Sequence, residues 1–295
     1  MAAPRQQNLF GVESQDRVVN VATVPQRSPF RYPGGKTWLV PQVRCWLKSL
    51  KPRPKLFVEP FAGGGIVSLT VAAENLADRV LMIELDDQIA AVWQTILNGD
   101  AKWLAERIVE FDLTMENAES VLSEAPDSLR EKAFQTILKN RIFHGGILAP
   151  GSGMIKHGEN GKGIKSRWYP KTLKHRILAI ESLRDKITFV ENDGIISMCE
   201  LADRSDTVFF IDPPYTAAGK KAGRRLYLHN DLDHEKLFDV AGSLVGDFLM
   251  TYDDAEEIRA MARQRGFDTQ IVSMKNTHHA IMNELLIGRR LDWAR

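Results

Sequence analysis

Short apolar runs alternate with helix-like stretches along most of the chain, and this alternation limits its fold more than any other feature. Five runs end in, or just before, a polar residue: Lys55–Glu59, Val80–Glu84, Ile187–Glu191, Thr207–Asp212 and Asp247–Tyr252. Helix-like stretches separate several of them, at Ile66–Asn75, Asp87–Leu97, His234–Val245 and Ala255–Arg265. This order predicts an α/β fold with a mostly parallel sheet covered on both faces. Thr269–Ser273 and Glu284–Arg289 are predicted to form a hairpin that adds an antiparallel edge.

The alternation breaks between residues 101 and 186. Ala101–Lys139 has a helical pattern, whereas Asn140–Pro170 is rich in Gly, Lys and His and has little apolar periodicity. A structureless loop of this length is unusual in a compact domain unless it is functional. We therefore predict an inserted subdomain at 101–186, between the second and third strands. Residues 29–100 and 187–295 would form the main domain, and residues 1–28 a flexible tail.

Overall composition excludes several classes of protein. The 39 Lys+Arg against 38 Asp+Glu give a net charge of +1, which excludes a chain that coats nucleic acid indiscriminately. Cys45 and Cys199 are too few for a disulfide framework or a four-thiolate zinc site. The longest apolar runs, Val80–Ile83 and Val208–Ile211, are too short to span a membrane. We expect a cytoplasmic protein with no membrane partner.

A glycine-rich turn follows the first predicted strand. Glu59–Gly65 reads EPFAGGG, and its glycines let a ligand approach the backbone closely beside a helix N-terminus. The pyrophosphate-binding patterns are absent, which favours a nucleoside, although a tight turn with no ligand has the same sequence. Glu84 ends the next strand, where an acidic residue can accept hydrogen bonds from ribose hydroxyls. Asp86 and Asp87 are alternatives for that role, and we predict that Asp86 instead caps the following helix.

Asp212-Pro213-Pro214-Tyr215 closes the fourth predicted strand and is the most informative tetrad. At that position it lies at the carboxyl edge of the sheet, where open α/β folds bind ligands. Proline removes amide donors, so the tetrad offers a carboxylate and a rigid carbonyl as acceptors for an NH2 group. Tyr215 adds a flat face on which a base can stack. These residue types predict a site for an exocyclic amino group.

These motifs, in this order, resemble the D12-type (DNA adenine methylase family) adenine-N6 DNA methyltransferases. The resemblance includes Tyr32–Lys36 (YPGGK), Pro60–Gly65 and Asp212–Tyr215, and it extends to Asn283–Ile287. It implies a Rossmann-like S-adenosylmethionine-dependent methyltransferase sheet with helices on both faces. It also implies that the insertion is a mostly helical target-recognition subdomain.

The resemblance also assigns roles to residues. Tyr32 and Lys36 would help to hold S-adenosylmethionine, the Phe61–Gly65 turn would lie against its methionine part, and Glu84 and Asp193 would bind its ribose and adenine. The implied cofactor-binding residues are Tyr32, Lys36, Phe61, Ala62, Gly63, Gly64, Gly65, Glu84, Asp193 and Asp212. The implied catalytic residues are Asp212, Pro213, Pro214 and Tyr215, acting on N6 of an adenine flipped out of double-stranded DNA. No metal is expected.

Positive charge is concentrated in a few segments. Residues 138–176 carry nine Lys/Arg and one acid, whereas residues 101–132 hold eight acids and four bases. Basic segments beside the tetrad predict contacts with DNA phosphates. Within the Asn140–Pro170 loop, Arg141 and His144 are also candidates for reading base edges or for a wedge between bases. The candidates are Lys139, Arg141, His144, Lys156, Lys165, Arg167, Lys220, Lys221, Arg224 and Arg225.

Two other classes of function stay open at this point. One is an amino methyltransferase that acts on cytosine N4, on RNA or on a protein amide. The other is a non-catalytic DNA-binding relative. Asp in place of Asn or Ser before Pro-Pro-Tyr favours adenine over cytosine. The target sequence, a restriction endonuclease partner and the biological role are not indicated by any motif.

Overall fold

The structure is a computed structural model that describes residues 24–31, 34–149, 151–158, 161–214, 232–275 and 281–295. Most of the predicted tail at 1–28 lies outside this range. Ten helices occur among the described residues: α1 Val40–Ser49, α2 Ile66–Ala73, α3 Asp87–Thr95, α4 Ala101–Glu110, α5 Met115–Ser123, α6 Leu129–Ile142, α7 Pro170–Glu181, α8 Gly194–Glu200, α9 His234–Ser243 and α10 Glu256–Gln264. Seven strands form one sheet: β1 Leu56–Glu59, β2 Arg79–Glu84, β3 Ile187–Glu191, β4 Thr207–Ile211, β5 Asp247–Asp253, β6 Asp268–Lys275 and β7 Ile281–Gly288.

The strand order is β3-β2-β1-β4-β5-β7-β6. The first five strands pair in parallel, with Val58 of β1 opposite both Leu81 of β2 and Phe209 of β4. The chain reverses its direction across the sheet between β1 and β4. In open α/β sheets, ligands bind outside the carboxyl ends of the strands at such a switch point. The predicted Rossmann-like sheet is confirmed, and its topology places the motifs after β1 and β4 side by side.

The predicted antiparallel hairpin at the edge of the sheet is confirmed, and its strand order differs from the order along the chain. The hairpin forms, but its second strand, β7, inserts between β5 and β6 and is antiparallel to both. The edge strand β6 therefore runs in the same direction as the parallel strands. The local apolar pattern marks both strands, but the choice of partner depends on packing between distant segments. Leu285, Leu286 and Ile287 are fully buried beside β5, which explains why β7 takes the inner position.

The insertion predicted between the second and third strands contains α4 to α7. Side chains at its helix N-termini cap backbone amides: Thr114 accepts from Asn117 and Ser128 accepts from Glu131. Ile137 and Ile177 of the insertion belong to the same apolar cluster as Val80 of β2. The insertion and one face of the sheet thus share a continuous core, and its role as a target-recognition unit stays a prediction.

The other face of the sheet is covered by α8, α9 and α10. Phe209, Phe238 and Tyr252 are fully buried there, in a second apolar cluster. Helices on both faces explain why β4 reads as an unbroken apolar run, since its five residues are all buried. No helix in the described ranges is long and apolar enough to cross a membrane.

Candidate active site

A cavity of about 560 Å³ opens at the carboxyl ends of β1, β2 and β4. Its walls come from the sheet edge, from residues 26–31 and 35–37, and from two parts of the insertion, 141–149 and 169–176. The predicted cofactor-binding and catalytic residues that line it are Lys36, Phe61, Ala62, Gly64, Gly65, Glu84, Asp193, Asp212 and Pro214. Residues from distant parts of the sequence therefore meet around one ligand-sized space.

The side chains of Met82 and Trp93 pack against the backbone of the glycine-rich turn and hold it in place. Gly65 is left-handed (φ 62°) and precedes α2, so a Cβ there would lie 2.5 Å from Met82 Cε and 2.9 Å from Trp93 Cζ2. The indole Nε1 of Trp93 donates to the Gly63 carbonyl at 3.0 Å. Only glycine combines this backbone conformation with this close approach. Gly63 itself does not line the cavity, but it positions its neighbours.

Glu84, at the end of β2, binds the turn directly. Its Oε2 accepts from the Gly63 amide at 2.7 Å, and its Oε1 accepts from the amides of Leu85 and Asp86 at 2.9 and 3.0 Å. Burial raises the pKa of Glu84 to about 7, although these amide bonds favour the charged form. The carboxylate is therefore oriented before any ligand arrives, and it faces the cavity.

The acidic alternatives to Glu84 take other roles. Asp86 Oδ1 accepts from the amides of Gln88 and Ile89 and caps α3, as predicted. Asp87 is paired with Lys132 on the surface at 2.5 Å. Asp193 also caps a helix, since its Oδ1 accepts from Ile195 and Ile196 at the start of α8, while the residue lines the cavity. The cofactor roles of Glu84 and Asp193 stay predictions.

Asp212 meets the ammonium of Lys36 at the base of the cavity. Lys36 Nζ lies 3.0 Å from Asp212 Oδ1, and Thr251 Oγ1 donates to the same oxygen at 2.8 Å. Burial alone lowers the pKa of Lys36, but attraction to Asp212 and Glu284 raises it above its ordinary value. Lys36, predicted to hold the cofactor, is thus in direct contact with the predicted catalytic carboxylate. Pro213 is buried and Pro214 lines the cavity.

Two buried acids near Asp212 were not among the predicted site residues. Glu59 lines the cavity and accepts from the Ser68 amide at 3.0 Å, and burial raises its pKa to about 8. Glu284 lies 3.5 Å from Lys36 Nζ, and burial raises its pKa to about 7. The sequence held a signal for both, since Glu59 opens the glycine-rich motif and Glu284 lies within the Asn283–Ile287 stretch.

Among the predicted DNA contacts, Arg141 is not at the surface. Its side chain is 4% exposed, lines the cavity and donates to the Pro29 carbonyl, because α6 carries it inward against the segment before Lys36. Burial lowers the pKa of Arg141 to about 9, and the positive charges of Arg176 and Arg31 add to this effect. This inward position does not suit a surface phosphate contact, and the predicted contact of Arg141 with a base edge of the DNA stays a prediction.

Five of the other predicted DNA contacts lie among the described residues, and none of these five lines the cavity. His144, Lys156 and Lys165 are exposed, and Lys139 and Arg167 are half-buried. Lys165 faces Asp112 at 3.6 Å. The residues that fall outside the described part of the chain are Tyr32, Tyr215, Lys220, Lys221, Arg224 and Arg225.

Side chains of the insertion form hydrogen bonds with the segment that precedes Lys36. Asn140, fully buried, accepts from the Arg31 amide at 2.8 Å and donates to the carbonyls of Arg31 and Gly146 at 3.0 and 2.9 Å. Arg176 donates to the Ser28 carbonyl at 3.0 Å. These bonds fix the chain path into the cavity wall. Within the described ranges, no three His, Cys, Asp or Glu side chains gather as metal ligands.

Comparisons with known proteins agree with this arrangement. Residues 32–135 match the family model of the D12 class N6 adenine-specific DNA methyltransferases. A DNA N-6-adenine-methyltransferase of Escherichia phage P1 is 26% identical over 270 residues, which are 87% of this chain and 34% of that protein. The resemblance to the D12 class is confirmed. The chain spans about a third of the length of this curated relative.

Solved structures that resemble this fold are more distant in sequence. A methyltransferase from Geobacter sulfurreducens has a TM-score of 0.40 at 14% identity, with 88% of this chain and 81% of that chain covered. An rRNA methyltransferase from Streptomyces viridochromogenes has a TM-score of 0.38 at 13% identity, with 94% and 93% covered.

Proposed function

We propose that this chain transfers a methyl group from S-adenosylmethionine to the exocyclic N6 of adenine in double-stranded DNA. The observation that carries the proposal is the meeting of Asp212 and Pro214 with Glu84 and the glycine-rich turn around one cavity. This arrangement combines acceptors for an amino group with acceptors for a nucleoside. The D12 resemblance supports adenine in DNA as the substrate.

The cavity residues fit S-adenosylmethionine chemically. The Glu84 carboxylate, fixed by three amides, can accept from the two ribose hydroxyls. Asp193 can accept from an adenine amino group, and the backbone at Gly64 and Gly65 admits the amino-acid part. When bound, this cofactor supplies an electrophilic methyl group on a sulfonium sulfur. Roles for Tyr32 and the other predicted cofactor residues belong to the same proposal.

The chain's own residues prepare the adenine nitrogen. N6 is a poor nucleophile because its lone pair is delocalised into the ring. Hydrogen bonds from its two N–H groups to the Asp212 carboxylate and the Pro213 carbonyl would favour a more tetrahedral nitrogen with a directed lone pair. Thr251 and Lys36 hold Asp212 in place, so this catalysis consists of positioning and electrostatics.

Access to N6 requires the adenine to leave the duplex stack, at a cost of a few kcal/mol. Stacking on Tyr215 is proposed to offset part of this cost, by about 1–3 kcal/mol for one base. The exposed side chains of His144, Lys156 and Lys165, together with Lys139 and Arg167, are proposed to contact the DNA, as are the basic residues of 220–225.

The test supplies labelled S-adenosylmethionine with double-stranded DNA, single-stranded DNA and RNA in separate reactions, followed by digestion to nucleosides. The proposal predicts N6-methyldeoxyadenosine from duplex DNA. N4-methyldeoxycytidine, or label in RNA alone, would favour the other amino methyltransferases. Binding of DNA without cofactor binding by calorimetry, and without transfer, would indicate a non-catalytic relative.

A further inference from the structure

Lys36 lies between two carboxylates, the half-buried Asp212 and the buried Glu284, both of which are far from it in sequence. Its Nζ lies 3.0 Å from Asp212 Oδ1 and 3.5 Å from Glu284 Oε2. Lys36 and Glu284 are 3% and 6% exposed, so water screens this attraction little. The strand β7 positions Glu284 for this contact, because its insertion beside β5 brings residue 284 opposite Asp253.

Two contacts of Asp212 involve the same carboxylate oxygen. Oδ1 receives both the Lys36 ammonium and the Thr251 hydroxyl. Two directional contacts on one oxygen fix the rotation of the carboxylate, which must be set correctly for an acceptor in a catalytic site. An ammonium held by Asp212 alone would also weaken that carboxylate as an acceptor, since a nearby positive charge stabilises its electrons and lowers its basicity.

We propose that Glu284 is a positioning residue for methyl transfer: it holds Lys36 against Oδ1 of Asp212 and shares the ammonium charge. Asp212 thereby keeps a fixed orientation and enough basicity to accept the N6 hydrogen of the substrate. The proposal rests on the proposed function. It assigns Glu284 no contact with the substrate, and its effect passes through Lys36.

The charge state of Glu284 makes the effect depend on pH. Burial raises the pKa of Glu284 to about 7, Lys36 opposes the shift, and the negative charges of Asp212 and Asp253 add to it. Below this pKa the carboxyl is neutral, and the whole ammonium charge acts on Asp212. We expect kcat to fall as the pH decreases through about 7.

Other titratable groups near Asp212 could also change kcat with pH, so their effects must be distinguished from that of Glu284. Glu59, whose pKa burial raises to about 8, and the buried Tyr252 both interact electrostatically with Asp212. Glu84, with a raised pKa of about 7, titrates in the same range. A change in the pH profile is therefore informative only when it is compared between variants that differ at Glu284.

The experiment measures kcat between about pH 5.5 and 9 and the Kd of S-adenosylmethionine for the full chain and its variants. Glu284→Gln is expected to lower kcat at about pH 8 roughly tenfold, because the whole ammonium charge then acts on Asp212, and to reduce the rise of kcat through pH 7. Cofactor Kd is expected to stay within about twofold. Glu257→Gln, which neutralises an exposed glutamate of α10, is the matched control and should match wild type.

A double-mutant cycle identifies the route of the effect. In a Lys36→Met background, Glu284→Gln should cause no further loss, because the route through the ammonium is gone. Glu284→Asp keeps the charge but withdraws the carboxylate by one methylene. This variant tests the positioning role if Glu284→Gln fails to fold. It is expected to lower kcat several-fold without changing cofactor Kd.

Three outcomes would overturn the inference. They are wild-type kcat with a wild-type pH profile in a folded Glu284 variant, additive losses in the double variant, and a loss confined to cofactor Kd. Each of them leaves the proposed function standing, since the wild-type chain still methylates DNA. A wild-type chain that binds the cofactor but transfers no methyl group overturns the proposed function and, with it, this inference.

Discussion

Gly65→Ala is the substitution whose cost follows most directly from the geometry of the glycine-rich turn. Alanine at φ 62° is left-handed, which costs about 1–2 kcal/mol for an L-residue. The added Cβ would also lie 2.5 Å from Met82 Cε and 2.9 Å from the Trp93 ring. Met82 can rotate away, but Trp93 is buried and bonded to the Gly63 carbonyl. Overpacking of this kind costs about 1–3 kcal/mol, so the expected loss of unfolding free energy is about 2–5 kcal/mol.

Gly266→Ala is the matched control that measures the cost of the left-handed backbone conformation alone. Gly266 has φ 69°, close to that of Gly65, but no atom of the described residues lies within 4 Å of the position that its Cβ would take. Its substitution should cost only the left-handed penalty, about 1–2 kcal/mol. Urea denaturation of wild type and both variants measures the two values. Calorimetry with S-adenosylmethionine should show weaker binding for Gly65→Ala alone, because the displaced Trp93 moves the turn.

Equal losses at the two positions would refute this reasoning. They would mean that Met82 and Trp93 adjust to the methyl group at no cost. Unchanged cofactor affinity in a folded Gly65→Ala protein would separately refute the proposed role of the turn.

Three further predictions concern pH, the insertion and salt. Since burial raises the pKa of Glu59 to about 8 from 4.5, the folded state favours its neutral form, and unfolding free energy should fall as the pH rises from about 5 to 8. Glu59→Gln should reduce that slope in urea titrations, and an unchanged slope would contradict the assignment. Asn140→Ala, which removes three hydrogen bonds of a buried side chain, should cost about 2–4 kcal/mol of unfolding free energy, and a loss below about 0.5 kcal/mol would show that the segment before Lys36 is held otherwise. Replacing Lys220 and Lys221 by alanine should flatten the slope of log DNA affinity against log salt, and an unaltered slope would exclude them as phosphate contacts.

The parallel part of the sheet could be predicted from the sequence because burial on both faces leaves a local signature. The fully apolar run of β4 is the clearest case. The position of β7 could not be predicted in the same way. Which strand becomes β5's neighbour is decided by how Leu285 and Ile287 pack against distant residues, and no local period records that choice.

The candidate site shows the same division. Because ligands in open α/β folds bind at the carboxyl ends of the parallel strands, the sequence correctly predicted that Glu84 and Asp212 lie at the same edge of the sheet. It could not reveal that Lys36 joins Asp212 to Glu284, because these three residues are far apart in sequence and meet only through the strand order. Arg141 was predicted to contact DNA from its place in a basic segment, and the structure shows that α6 directs its side chain inward to the cavity. Segment charge therefore indicated a region, and side-chain direction required the structure.

The central claim is that Asp212 carries the transfer of a methyl group to adenine N6. The most direct test is labelled methyl transfer to duplex DNA by wild type and Asp212→Ala, with the cofactor Kd measured on the same preparations. This role of Asp212 predicts N6-methyldeoxyadenosine from wild type, loss of transfer in the variant and a cofactor Kd that changes little. Wild-type levels of N6-methyldeoxyadenosine from Asp212→Ala would contradict it.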